Sequence, residues 1–205
     1  MIKNEKRKYT LSEALPLIIS LVATLVVLVI YSLTADEHDF LLYLRVSLSA
    51  FAPVLLPIIE CLIKREFPKY VNYLIALHII LASDLGIALG FYDRFANYDL
   101  VMHGFFGLLA AVVAALFINI WCGGEIDRVG LCVLVLLSVL GAAAAWEIIE
   151  FCGDTFFVMD SQCVKAALAA GTNPIEDTMT DIIIAIPGAL LWCVVYLARS
   201  RKKKD

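Results

Sequence analysis

Six stretches of this chain are almost free of polar residues: 15–34, 41–63, 70–92, 99–121, 129–150 and 178–198. Each comes close to or exceeds the run of about 20 mainly apolar residues that an α-helix needs to cross the hydrocarbon core of a bilayer. The pattern predicts an all-α fold, a polytopic membrane helical bundle of about six transmembrane helices forming a single integral membrane domain over 1–205. Most polar connections between the stretches are short ("TADEHDF", "KREFPKY", "YDRFANYD", "WCGGEIDRVG"), so consecutive helices are expected to be antiparallel neighbours. The segment 151–177 is longer. Within it, 162–170 reads as a short interfacial helix ended by Gly171, with Asn173-Pro174 as a turn before the last span.

Several residues inside the spans have structural readings. Pro53 and Pro57 in span two and Pro187 in span six are expected to kink their helices, which neighbouring helices tolerate in a bilayer. Gly86 and Gly90 form a Gly-xxx-Gly pair suited to close helix contact. Tyr70, Tyr92, Trp121 and Tyr196 fit an interfacial aromatic belt. His78 reads as a core residue, and Glu60 lies near enough to the basic turn at 64–70 to reach the interface. Cys61, Cys122, Cys132 and Cys193 read as small buried hydrophobes. Cys152 and Cys163, both in the long segment, are separated by a loop that a disulfide can close, and a bridge there is left open.

Composition sharpens the membrane assignment. Of the 205 residues, 62% are hydrophobic, against roughly 45–50% in soluble domains, and mean hydropathy is +0.89. Little chain is left for a soluble domain. The net charge of −4 and the scatter of Lys and Arg in short flanking runs exclude a nucleic-acid partner. Those runs also orient the chain, because cytoplasmic loops retain Lys and Arg. With both termini cytoplasmic, thirteen basic residues lie inside and three (Arg45, Arg94, Lys165) outside. The first span reads as uncleaved, since "SLTADEH" is a poor signal-peptidase site.

Against this background, three pairs of ionisable residues stand out. Asp99 and His103 open span four, Glu147 and Glu150 close span five, and Asp177 and Asp181 open span six. The topology puts all three pairs at the outer end. Residues three or four apart share a helix face, and His103 and Asp181 lie about 6 Å deeper than their partners at 1.5 Å per residue. Five carboxylates around one imidazole repel one another until some protonate or a cation binds. Oxygen ligands with one imidazole suit a divalent metal ion of unspecified identity. Three readings stay open: a metal or catalytic site, a buried polar network that holds helices together, and an ion or proton path. For the last, Asp84 in span three is a further candidate, followed inward only by His78 and Glu60.

The residues that carry these pairs resemble a known signature. Tyr98, Asp99 and His103; Glu147 and Glu150; Gly171 and Thr172; and Asp177, Thr178, Asp181 and Gly188 look like the successive motifs of the YjdF-like inner membrane protein family. More distantly the chain is similar to the VanZ-like family, associated with teicoplanin resistance. The resemblance covers the second half of the chain by motif and the first half only by hydropathy. Its Gly-Thr to Asp-Thr spacing is about one residue shorter here. It implies the bacterial cytoplasmic membrane as location.

Two functional expectations follow. In the first, the protein is an enzyme facing the outer leaflet and acting on a lipid or a lipid-linked envelope precursor. Asp99, His103, Glu150 and Asp181 then serve as metal ligands, and Glu147 or Asp177 as the catalytic base. In the second it is a non-catalytic membrane protein, with membrane lipids as its partners, whose acids form a structural or ligand-binding network; a transporter is a third form.

Overall fold

A computed structural model describes residues 10–157 and 159–201, the side chains of 200 and 201 excepted. The basic residues at 3–8 and 202–204 that enter the charge asymmetry lie outside the described residues. Every regular element described is helical. Among the described residues, six helical stretches are long and apolar enough to cross a membrane, at Leu11–Thr34, Phe40–Ile63, Tyr70–Ala88, Tyr98–Trp121, Arg128–Phe157 and Glu176–Arg199. The expected spans are therefore present, with ends shifted by local chemistry. The first begins at Leu11 because Glu13 turns back to accept from the Thr10 backbone N–H at 2.8 Å, tying up a donor that a helix start leaves orphaned. The fifth starts at Arg128 because Asp127 accepts from the backbone of Val129 and Gly130, and it runs two turns past Glu150.

The chain divides into two compact units, residues 1–95 and 96–205. In the first, helix α1 (Leu11–Thr34) packs on the second and third spans. The second span is broken as its prolines predict. Helix α2 (Phe40–Ser49) stops, a 3-10 turn at Ala52–Val54 contains Pro53, and α3 (Leu55–Ile63) resumes with Pro57 in its first turn, where a missing N–H costs nothing. Glu60 turns toward the protein at the basic turn. It is buried and accepts from the Phe67 backbone N–H at 2.6 Å, closing the basic turn from inside. The third span begins as α4 (Tyr70–Ile79) and continues as a π-helical stretch, Ile80–Ala88. Two glycines there do not pack against another helix as expected. A Cβ on Gly86 would strike the ring of Tyr92, and Gly90 sits at φ +68°, ending the span before the single turn α5 (Phe91–Arg94).

The second unit is built on three long helices, α6 (Tyr98–Trp121), α7 (Arg128–Phe157) and α9 (Glu176–Arg201). Between the last two lies α8 (Val164–Ala170), ended by Gly171 at φ +70°; this is the expected short helix with its glycine stop. Helix α6 packs most extensively on α9. The reason is a run of small residues. A Cβ on Gly107 would lie 2.7 Å from the backbone C and Cα of Ala185, and one on Gly188 would lie 3.0 Å from the Gly107 carbonyl carbon. The two backbones touch where side chains normally intervene, the packing that small residues permit between helices in lipid. Below this contact Ala111, Ala115, Val135, Val139, Ala185 and Ala189 form the core.

Candidate functional site

The α6–α9 contact fixes the geometry above it. Asp99 is in the first turn of α6, where the helix dipole favours an anion, and His103 follows one turn deeper. Asp181 stands near the start of α9, less than two turns from Gly188. With the backbones this close, His103 Nε2 lies 3.5 Å from Asp99 Oδ1 and 3.5 Å from Asp181 Oδ2. One ligand atom from each of the three falls within 4.8 Å of the other two. Exposure is graded across the cluster: the side chain of Asp99 is 40% exposed, that of His103 11% and that of Asp181 3%. The site opens at Asp99 and is sealed at Asp181.

Those separations constrain its chemistry. At 3.5 Å the two contacts exceed the usual N–H···O range of about 2.7–3.2 Å. They approach the ~3.4 Å that separates two ligand atoms each about 2.1 Å from a shared tetrahedral ion. Asp99, His103 and Asp181 could together hold a metal ion, and their donor types suit a divalent one.

Helix α7 adds two further acids, Glu147 and Glu150, and the start of α9 adds Asp177. Glu147 is 5% exposed, and its Oε1 makes no hydrogen bond. Glu150 lies apart from the three-residue set, and its Oε1 accepts from Trp146 Nε1 at 2.8 Å on its own helix. Even so, the charges act on one another: Glu150 on His103, Glu147 on Glu150, Asp177 and Asp181, and Asp99 on Asp177. All six residues singled out in the sequence therefore share one electrostatic neighbourhood, while three converge closely enough to share an ion. The Asp177 carboxylate acts on the Cys163 thiol. Burial, first, and then the Asp177 charge push that thiol up to about 12. Cys152 and Cys163 are both free, with no bridge between them.

Two further residues belong to the site. Gln162 is buried, and its Nε2 lies 3.3 Å from Glu147 Oε2, 3.3 Å from the Glu147 carbonyl and 3.0 Å from Thr178 Oγ1. It links α7 to α9 beside the acids. Asp154, accepting from the backbone of Ser161 and Gln162 at 2.7 and 3.0 Å, folds the loop back so that Gln162 can enter. Thr178 sits inside the "EDTMTD" segment and its neighbourhood was legible; a lone glutamine in a polar loop gives no such signal.

No curated protein and no solved structure matches the chain. A family described as "Predicted membrane protein (DUF2238)" matches residues 15–203. With six membrane-capable helices and nearly its full length matched, the chain belongs to this family of multi-pass membrane proteins.

Proposed function

We propose that this protein is a YjdF-like protein of the bacterial cytoplasmic membrane, that it binds one divalent metal ion through Asp99, His103 and Asp181, and that the centre acts on a lipid or lipid-linked envelope precursor from the outer leaflet. The observation that carries the reading is the placement of His103 Nε2 at 3.5 Å from both carboxylates. Further support comes from Glu147, whose buried and unpartnered Oε1 is a carboxylate available to hold or move a proton beside the cluster. A divalent ion there supplies Lewis acidity toward a phosphoryl or acyl oxygen and lowers the pKa of a water. Gln162 holds Glu147 in place, and Asp177 borders the open side.

The outward placement rests on the bias of Lys and Arg toward the opposite loops. Access from lipid is supported by the apolar surface around the site, where Ile148, Phe151, Phe156, Leu168 and Ile175 are exposed. Trp146, bonded to Glu150 and partly exposed, gives a ring of the kind that rests at a headgroup layer.

The test is metal analysis of protein purified with chelator and then reloaded. Wild type is expected to take up one divalent ion per chain, and His103→Ala or Asp181→Asn to lose it while eluting as folded protein. Failure of the wild type to take up any divalent ion would sink the metal reading. If Asp181→Asn instead abolishes folding, and the wild type takes up no ion, the acids are a structural network.

A further inference from the structure

We infer that Asp84 is a proton-binding site in the first unit, reached by water along one face of α1 from the end of that unit that carries Lys64, Arg65 and Lys69. This stands apart from the metal reading, since none of its residues belongs to the second unit.

Asp84 is completely buried, and both its oxygens accept from a single neutral donor, Thr24 Oγ1, at 2.8 and 3.1 Å. One hydroxyl does not compensate a carboxylate charge in so dry a place, so the pair calls for a proton or another cation to neutralise it. The charged groups on the helices packed against 80–88 are Glu13 on α1, Arg45 on α2, His78 on α4, and Asp93 and Arg94 on α5. Around Asp84 the backbone is π-helical: the Leu89 N–H bonds the Asp84 carbonyl, five residues back, at 3.1 Å. Such bulges recur at functional positions because they redirect side chains that an α-helix would place elsewhere.

A proton site needs a route, and the buried stripe of α1 offers one. From the exposed Ser12, the buried Pro16, Ser20 and Thr24 follow at intervals of four, so neighbours in the series share a face about 6 Å apart. Ser20 is completely buried and its Oγ finds no partner. Asn72 of α4 is 6% exposed and its Oδ1 finds none either. Asn72 lines a cavity of about 20 Å³ together with Ser12, Glu13, Pro16, Glu60 and Lys69, room enough for a water. Orphaned polar atoms that deep in a protein are ordinarily satisfied by water. Here Asn72 marks the cavity, and Ser20 marks a station between it and the Thr24–Asp84 pair.

Two measurements on the full-length protein in liposomes test this. Dicyclohexylcarbodiimide modifies a carboxylic acid in apolar surroundings: the acid proton passes to a carbodiimide nitrogen, the carboxyl oxygen adds to the central carbon, and the adduct rearranges to a stable N-acylurea. Mass spectrometry is expected to locate the adduct on Asp84 at neutral pH and to show its loss in Asp84→Asn. In a variant without native cysteines, Ser20→Cys is expected to react with a small water-soluble methanethiosulfonate. No adduct on Asp84 in folded protein would overturn the proposal, because the group is then ionised. Block of the adduct by sodium at constant pH would overturn it in favour of a metal cation. A Ser20→Cys variant that folds but does not react would show that the stripe is dry, and would overturn the route.

Discussion

Cys163 is linked to the site through the charge of Asp177. Alkylation requires the thiolate, and with the thiol pushed up to about 12 only ~1 in 10,000 is ionised at pH 8. Its reaction with iodoacetamide is therefore expected to be very slow at pH 8 and to rise roughly tenfold per pH unit up to about pH 12. Asp177→Asn removes the adjacent charge and is expected to speed the reaction at pH 8. Because burial is the larger cause, an ordinary rate is not restored; an unchanged rate would mean that Asp177 does not touch the thiol in solution. Gln162 carries a second prediction. Gln162→Ala strips a donor from Glu147 and Thr178 and is expected to cost about 1–3 kcal/mol of stability, read as a lower unfolding temperature in detergent. It should also weaken the metal 10–100-fold, the usual effect of losing a group that orients a site. The six ionisable residues were legible as single letters because acids are rare in apolar helices. Gln162 was not, since a loop glutamine acquires a role only when Asp154 folds the loop inward.

Elements show where local pattern was enough and where it was not. The proline in span two predicts its break, and Gly171 predicts the end of α8, because both act through backbone geometry that the residue itself carries. The Gly86–Gly90 pair misled, since spacing cannot tell helix packing from room for a ring and a left-handed turn. The small residues that matter, Gly107 and Gly188, lie among many other small residues in these spans. Only the partner helix decides which of them must lack a side chain. Gly107→Val is expected to force α6 away from the rigid Ala185 backbone, cost roughly 1–3 kcal/mol or more, and abolish metal uptake by separating His103 from Asp181. Gly141, on an exposed position of α7 with nothing within 4 Å of an added Cβ, provides the contrast. Gly141→Ala is expected to raise stability by about 0.5–1 kcal/mol and leave metal uptake intact. Equal thermal shifts for the two would refute the close-packing account.

For the whole molecule, the surface is the informative feature. Large apolar side chains are exposed along every membrane-capable helix, Leu25, Leu62, Val101, Leu137 and Val194 among them, as expected where lipid takes the place of water. The orientation argued from charge has a direct check. In a variant without native cysteines, Ala169→Cys on α8 is expected to react with an impermeant maleimide in intact cells. Glu125→Cys, in the connection at the other end of α6 and α7, is expected to react only after the membrane is opened. The reverse pattern would invert the topology and turn the acidic cluster toward the cytoplasm.

Hydropathy alone determined the number of membrane-capable helices, their approximate ends, and the gathering of three ionisable pairs at one level. A bilayer requires every backbone polar group to be satisfied within the helix, and a rise of 1.5 Å per residue converts position in the chain directly into depth. Rotation about each helix axis was beyond its reach, because a span that is apolar nearly all round has no face that must point inward. Packing decided it: the contact of Gly107 with Ala185 and Gly188 aims His103 between two carboxylates, and the burial of α1 against the third span places Ser20 and Thr24 on the path to Asp84.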